Sequence, residues 1–497
     1  MQLLLAVLVV ACLLPFCGKP YHIDDPLFVW CAEQVLAHPA DPYGSTVNWY
    51  GIDQAMDDVM WNPPLSCYYM AGWMLLGSTR EWVLHLGFML AAVAAVIATF
   101  RLSGRCCRTP WLSALLLLLS PGFTVSATTV MCDVPALALM LWFLVMWMDG
   151  RLWVSALLLG ACIMTKYNAG LVILPAAAFA LASHKPVRGW IAFLLAPLAL
   201  PPLWYVCMGY AFPANPPPTA GPAVSLTIGL IFLGGCAGAA CFALIAGTRR
   251  WGILGAALTL PAILFFHTFW KSSGGQAAQM AIWFIGGLAI VAVGVRSAFV
   301  DRRPELVAMF ILLLSVWGFA ALGASWVSGR YLLAALPAAA VLCTAYLEQV
   351  CKDRLLLRVV PALALSAVLA LTVTWSDYAH AVSARNAAIQ LSKRATGFFG
   401  HWGFQYYMQQ GGVKPQALDV RLDNDSVVVL PENNSNVPRA SASMRRQIRT
   451  YNKCSWLAVE DSNVGAGFYS AVFGVLPFKF GPVPPERYIL VGNVPNR

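Results

Sequence analysis

Two adjacent carboxylates, Asp24 and Asp25, stand in the segment Tyr21-His22-Ile23-Asp24-Asp25-Pro26, just past an apolar N-terminal run from Leu3 to Phe16. Packing cannot account for them in a chain that otherwise avoids charge, because a desolvated carboxylate must be paired, hydrogen-bonded or neutralised. The pair must therefore be solvated, paired or used. Asp133 opens a second apolar run as Asp133-Val134-Pro135. An ionisable residue there reads as functional, and as an N-cap for orphan backbone N–H groups, and the two roles are compatible. Lys166, Lys271 and Arg330 fall where the chain leaves or re-enters apolar sequence. Cations so placed suit a lipid-linked phosphate, which Arg grips with two parallel hydrogen bonds and Lys meets as a point charge.

These groups need a scaffold, and composition says which kind. The 497 residues are 59% hydrophobic and 11% charged, with a mean hydropathy of +0.68, whereas soluble domains carry about a quarter charged residues. Apolar segments near 2–17, 82–100, 111–125, 133–148, 152–167, 169–183, 190–210, 223–247, 251–270, 278–295, 305–325, 331–348 and 357–374 predict thirteen spans. The fold class is an α-helical polytopic membrane domain over 1–375, followed by a small C-terminal α/β extramembrane domain over 376–497. The first segment lacks a Lys/Arg-rich start and reads as a retained helix rather than a signal peptide.

With the N-terminus inside, 14 of the 19 Lys/Arg before residue 375 fall in six consecutive inner loops: Arg101/Arg105/Arg108, Arg151, Lys185/Arg188, Arg249/Arg250, Arg296/Arg302/Arg303 and Lys352/Arg354/Arg358. That is the positive-inside pattern, and it explains much of the net charge of +10 without a nucleic-acid partner. It also places Asp24-Asp25 and the tail on the same external side. Lys19, Arg80, Lys166, Lys271 and Arg330 remain as basic exceptions there. Lys19 and Arg80 read equally well as cations snorkelling to the interface.

The first external loop, 18–81, is the longest of the membrane domain. Pro26 to Ala37 reads as a helix with Asp24 or Asp25 at its start, and Cys67 to Leu76 as an interfacial helix anchored by Tyr68, Tyr69 and Trp73. In the tail, Ser376 to Thr396 reads as a helix, Ser426 to Leu430 and Tyr488 to Gly492 as strands, and 401–408 as an aromatic segment belonging to the small domain's core. Arg445, Arg446, Arg449 and Lys453 read as a solvated face. Most of the fourteen cysteines lie in apolar runs, where Cys behaves as a small hydrophobe. His22, His38, His85 and His267 are scattered and read as polar interface residues, not ligands.

The order and sidedness of these motifs resemble the GT-C superfamily of membrane glycosyltransferases, in the branch of protein O-mannosyltransferases and lipid A aminoarabinose transferases. The likeness rests on Asp24-Asp25, Asp41-Pro42-Tyr43, Asn62-Pro63-Pro64-Leu65, Asp133-Val134-Pro135, Thr165-Lys166-Tyr167 and Ser328-Gly329-Arg330-Tyr331-Leu332. It implies inverting transfer of a sugar from a polyprenyl-phosphate donor to a lipid, glycan or protein acceptor on the external side. The first carboxylate would be the base, and Tyr43, Asn62, Asp133, Lys166, Lys271, Arg330 and Tyr331 would bind the lipid phosphate and sugar. Where the aminoarabinose transferases read Glu-Lys-Pro-Pro, this chain reads Trp61-Asn62-Pro63-Pro64. The acidic side chain associated with a metal in that branch is missing, and a divalent ion stays unassigned, with Glu33, Asp57 and Asp58 as substitutes. The competing readings are a transporter or flippase of lipid-linked sugars, which would carry its ionisable residues at mid-membrane depth in repeated halves, and a non-catalytic binding protein of the same fold.

Overall fold

A computed structural model describes residues 1–184, 189–210, 216–418, 426–439 and 446–492. Lys185, Arg188 and Arg445 lie outside the described residues. The chain is mostly helical, and proline sets many helix starts: Pro26, Pro110, Pro121, Pro222 and Pro304 each occupy a first-turn position, where the missing N–H costs nothing.

Every expected apolar segment coincides with a helix or a broken helix. Helix length supports fewer complete crossings than thirteen. Among the described residues six helical stretches are long and apolar enough to span, and eight if two bent pairs each count once. The bends measure 63° between Pro110–Leu118 and Pro121–Ala127, and 75° between Pro222–Cys236 and Gly238–Gly247. At the first, Pro121 cannot donate to the preceding turn. Four further apolar helices, including Asp133–Met148 and Leu152–Thr165, have only 10–17 residues.

The helices Pro222–Cys236 and Gly274–Arg296 pack against each other. Their approach is set by glycine: a Cβ on Gly234 would stand 1.8 Å from the Trp283 carbonyl oxygen, and one on Gly287 2.2 Å from that of Leu230. Small residues let apolar helices close to backbone contact where no hydrophobic effect drives association.

Contacts join three of the expected inner loops. Arg303 donates to the backbone carbonyls of Cys106 (2.9 Å) and Arg105 (3.0 Å), Glu348 accepts from the backbone N–H of Arg108 (2.9 Å), and Arg296 reaches Gln349 (3.3 Å). Asp24, Asp133, Lys166 and Arg330 gather elsewhere in the fold.

In the first loop the helix Asp25–Ala37 packs on the helix Leu65–Gly77, and a hairpin pairs Thr46–Asn48 with Asp53–Ala55. The boundary expected at residue 375 falls inside a single 37-residue helix, Leu355–Leu391, which merges the last apolar segment with the expected tail helix. Beyond it a five-stranded mixed sheet has the order Lys414–Pro415, Gly397–Phe398, Val427–Pro431, Glu486–Gly492, Arg446–Tyr451. Two of these are the expected strands, paired antiparallel with Ile489 opposite Leu430. The aromatic segment forms the helix Trp402–Gln410, which packs on the first loop as well as on the sheet: Tyr406 meets Tyr21 edge-on at 5.0 Å, and the Tyr407 hydroxyl accepts from the Tyr21 backbone N–H at 2.9 Å. A Cβ on Gly403 would meet the Tyr21 carbonyl oxygen at 1.9 Å, so only glycine allows this docking.

Candidate active site

The two adjacent carboxylates have opposite surroundings. Asp25 is fully buried and accepts the backbone N–H groups of His22 and Val130, each at 2.9 Å. Burial pushes its carboxyl up to about 7, against the opposing pull of Lys19 and those two donors. Its capacity goes to fixing the turn that starts the helix Asp25–Ala37. That turn holds Ile23 at a φ of 49°, a conformation that a β-branched residue adopts only when its surroundings enforce it. Asp24 is thereby turned outward, into a cavity of about 350 Å³. Asp25, the other candidate base, does not line that cavity.

Four elements bring charge to the cavity wall. Asp24 ends the first turn, Asp133 begins the helix Asp133–Met148, and Lys166 follows the helix Leu152–Thr165 in extended backbone. Arg330 sits in the one-turn helix Gly329–Leu332, capped by the Ser328 hydroxyl accepting from its N–H at 3.2 Å. The Arg330 guanidinium donates to Asp24 Oδ2 at 2.7 Å and lies 3.9 Å from Asp133 Oδ2, while Lys166 Nζ donates to Asp133 Oδ1 at 2.6 Å. Lys166 stands over the Tyr331 ring at 5.2 Å, and Arg330 over the Tyr469 ring at 5.8 Å. The side chains of Asp24 and Arg330 remain 27% and 13% exposed, so they are open to a ligand. A narrow apolar cleft of about 40 Å³ shares Asp133, Lys166, Arg330 and Tyr331 with the cavity and runs between Leu137, Met140, Leu171 and Val316.

Asn62 also lines the cavity, with its side-chain oxygen buried and unpartnered among the described residues. Tyr43 does not. Its hydroxyl donates to the Asn62 carbonyl and its ring packs on Trp204 and Tyr210, so it props the Asn62-Pro63-Pro64 turn from behind. Lys271 lies exposed in the turn before the helix Gly274–Arg296 and is absent from the cavity wall.

The tail contributes wall residues that sequence reasoning missed, Glu460 and Tyr469 among them. Glu460 accepts the Tyr469 N–H at 2.8 Å, its other oxygen is unpartnered among the described residues, and burial pushes its carboxyl well above the usual range. Tyr469 donates its hydroxyl to Asp377 at 2.9 Å. Gly329 N–H donates to the Phe468 carbonyl at 2.7 Å, and a Cβ on Gly329 would strike the Phe468 ring at 2.5 Å, so this loop docks directly beside Arg330. The adjacent acidic Glu460-Asp461, rare in such a chain, was the available signal.

Behind the wall lies a closed network. Lys19, expected at the interface, is instead fully buried and ion-paired with the fully buried Asp377, whose other oxygen is 3.5 Å from His22 Nε2. Lys453, expected on a solvated face, pairs with Asp461 at 2.6 Å and with Glu486.

The donor set does not fit a divalent ion. Among the described residues no three His, Cys, Asp or Glu side chains converge. Asp24 and Asp133 are each already met by a protein cation. Neither Glu33, Asp57 nor Asp58 lines the cavity.

Residues 62–206 match the family model of dolichyl-phosphate-mannose-protein mannosyltransferases. No curated protein matches the chain. Among solved structures, the Archaeoglobus fulgidus oligosaccharyltransferase, tethered with an acceptor peptide containing the NVT sequon, is similar at 14% identity and a TM-score of 0.50, covering 83% of this chain and 63% of that one. ArnT from Cupriavidus metallidurans, bound to undecaprenyl phosphate, is similar at 13% identity and a TM-score of 0.46, over 86% and 93% of the two chains. The mycobacterial arabinofuranosyltransferase AftD is similar at 14% and 0.46, covering 99% of this chain and 40% of its own. The matched span contains Asn62, Asp133 and Lys166, whereas Asp24 and Arg330 lie outside it. The resemblance to the GT-C membrane glycosyltransferases therefore stands on two findings, the fold of the chain and the mannosyltransferase family's sequence pattern over residues 62–206.

Proposed function

We propose that this protein transfers a sugar from a polyprenyl-phosphate-linked donor to an acceptor on the external side of the membrane, with inversion at the anomeric carbon. One observation carries the reading: a solvent-accessible carboxylate, Asp24, and two cations, Lys166 and Arg330, share one cavity that continues into an apolar cleft. The external side follows from the loop charges and from the long first loop that carries Asp24.

In this reading the donor's phosphate lies against Lys166 and Arg330, and its prenyl chain leaves along the cleft. Asp133 holds Lys166 in place and does not touch the phosphate, since like charges repel. A phosphate oxygen competes with Asp24 for the Arg330 guanidinium and leaves Asp24 less neutralised, hence more basic. The acceptor hydroxyl then attacks the anomeric carbon from the face opposite the phosphate. Its proton passes to Asp24, the carbon–oxygen bond to phosphate breaks, and the electron pair stays on the departing polyprenyl phosphate. That anion needs no general acid, and the two cations stabilise the charge as it develops. Glu460 and Tyr469, which line the same cavity beside Arg330, are the tail's groups for hydrogen bonds to the sugar.

The test is transfer by the purified protein in liposomes, using radiolabelled polyprenyl-phosphate mannose and polyprenyl-phosphate aminoarabinose with extracted envelope acceptors. Asp24→Asn should lower transfer by about 10²–10⁴-fold, the usual worth of a positioned base, with the melting temperature unchanged. Full transfer by that variant contradicts the assignment.

A further inference from the structure

A second recess, of about 600 Å³, opens beside the helix Asp25–Ala37. Its walls come from three parts of the chain: the helix itself (Trp30, Glu33), the hairpin of the first loop (Asn48, Asp53), and the tail, through Gln409 and the short strand Lys414–Pro415. None of these residues lines the cavity of Asp24.

The lining is rich in acceptors that the protein leaves unanswered. The exposed carboxylates of Glu33 and Asp53 have neither an ion pair nor a side-chain hydrogen bond among the described residues. Asn48 is more telling, at 5% exposure. Its backbone carbonyl takes a hydrogen bond from Gln405 at 2.8 Å, yet its side-chain Oδ1 is buried in the wall with no partner among the described residues. Ser45 Oγ, in the same wall, likewise has none among them. Leaving a buried acceptor unmet costs about 1–3 kcal/mol, so a site that keeps one is built for a ligand that donates.

Trp30 adds a flat apolar face. Its ring meets Trp49 edge-on at 6.3 Å and leans on Tyr406 at 6.1 Å, and Trp49 in turn lines the cavity of Asp24. The Trp30–Trp49 contact thus links a lining residue of one recess to a lining residue of the other. Glu33 is nine residues from Asp24, about 13 Å along the helix.

We infer that this recess binds the distal part of a neutral oligosaccharide acceptor, whose near end passes Trp49 to reach Asp24. Sugar hydroxyls donate to Glu33, Asp53 and Asn48, and one sugar face lies on Trp30. Two carboxylates against the single Lys414 disfavour an acidic glycan. The strand Lys414–Pro415 is two residues long and carries proline, so it offers no edge for a peptide to extend. The part of this inference that concerns delivery to Asp24 rests on the transferase reading; binding in the recess does not.

The full-length protein in lipid nanodiscs, fluorescently labelled, is applied to an array of neutral, acidic and amino-sugar oligosaccharides and peptides, and affinity for the best-retained neutral oligosaccharide is then measured by biolayer interferometry. Neutral oligosaccharides should be retained. The double variant Glu33→Gln/Asp53→Asn, conservative and on exposed side chains, should weaken binding at least tenfold, as should Trp30→Ala. Asp24→Asn should leave binding unchanged while abolishing transfer. Retention of peptides or acidic glycans instead, no retention, or binding indifferent to Glu33→Gln/Asp53→Asn overturns the inference. If Asp24→Asn still loses transfer in that case, the donor site stands and only the acceptor recess falls. If the recess binds as expected and Asp24→Asn transfers normally, the reverse holds.

Discussion

The cavity around Asp24 and the closed network behind it use the same residue types to opposite ends. In the network, Lys19 and Asp377 are fully buried and Asp377 is also met by Tyr469. In the cavity, Asp24 and Arg330 keep partial exposure, and oxygens of Asn62 and Glu460 have no partner among the described residues. Asp377 Oδ1 and His22 Nε2 are also without a hydrogen-bond partner among the described residues, so the difference between the two regions is access, not satisfaction. A fully buried ion pair holds a fold in register, because losing either member strands a charge. A pair that a ligand can reach can exchange partners, as binding and proton transfer require. Asp24 and Asp25 repeat the contrast within two residues.

That contrast is open to tests of decreasing size. Asp24→Asn should lose about 10²–10⁴-fold in transfer with no loss of thermal stability, whereas Lys19→Met should destabilise the protein by about 3–5 kcal/mol, seen as a drop in melting temperature in detergent. A stable Lys19→Met would erase the distinction. Arg330→Lys keeps the charge but loses the planar fork, and should weaken polyprenyl phosphate binding by about tenfold, measured by isothermal titration. Asp25 should appear in the pH dependence of stability. Its carboxyl is raised from 3.8 to about 7 in the fold, so the folded protein keeps a proton that the unfolded chain releases. Stability from this group is complete below about 4 and is lost as the pH rises through about 7. Asp25→Asn should flatten that slope in a melting-temperature series, with transfer in the folded fraction retained. The smallest effect belongs to Lys271→Ala, which should change stability by less than about 0.5 kcal/mol and leave donor binding intact.

The parts of the site that were legible in the sequence were those whose chemistry conflicts with an apolar setting. Asp24, Asp133, Lys166 and Arg330 are charges at the ends of hydrophobic runs, and the fold brings all four together. Which of Asp24 and Asp25 faces the cavity was not legible, because it turns on the left-handed backbone at Ile23 and on an N–H at Val130, 105 residues away. Lys271 looked equivalent to Lys166 because sequence gives sidedness, not position around the bundle. Glu460 and Tyr469 arrive on a loop held by backbone contact at Gly329, a pairing no local pattern announces. The span count differs for another reason: four of the expected segments are helices of only 10–17 residues, and the last two belong to one continuous helical stretch, Ala335–Leu391, which hydropathy alone does not reveal. The helix Leu355–Leu391 runs through residue 375 without a break, a continuity that the fall in hydropathy there does not reveal.

The central claim is that the cavity holds a lipid-linked phosphate beside a base. A structure of the protein with polyprenyl phosphate bound decides it most directly. The phosphate should lie within hydrogen-bond distance of Lys166 Nζ and the Arg330 guanidinium, with the prenyl chain along Leu137, Met140 and Val316 and the Asp24 carboxylate released from Arg330. A headgroup seated elsewhere, with the Asp24–Arg330 pair intact, would contradict the account.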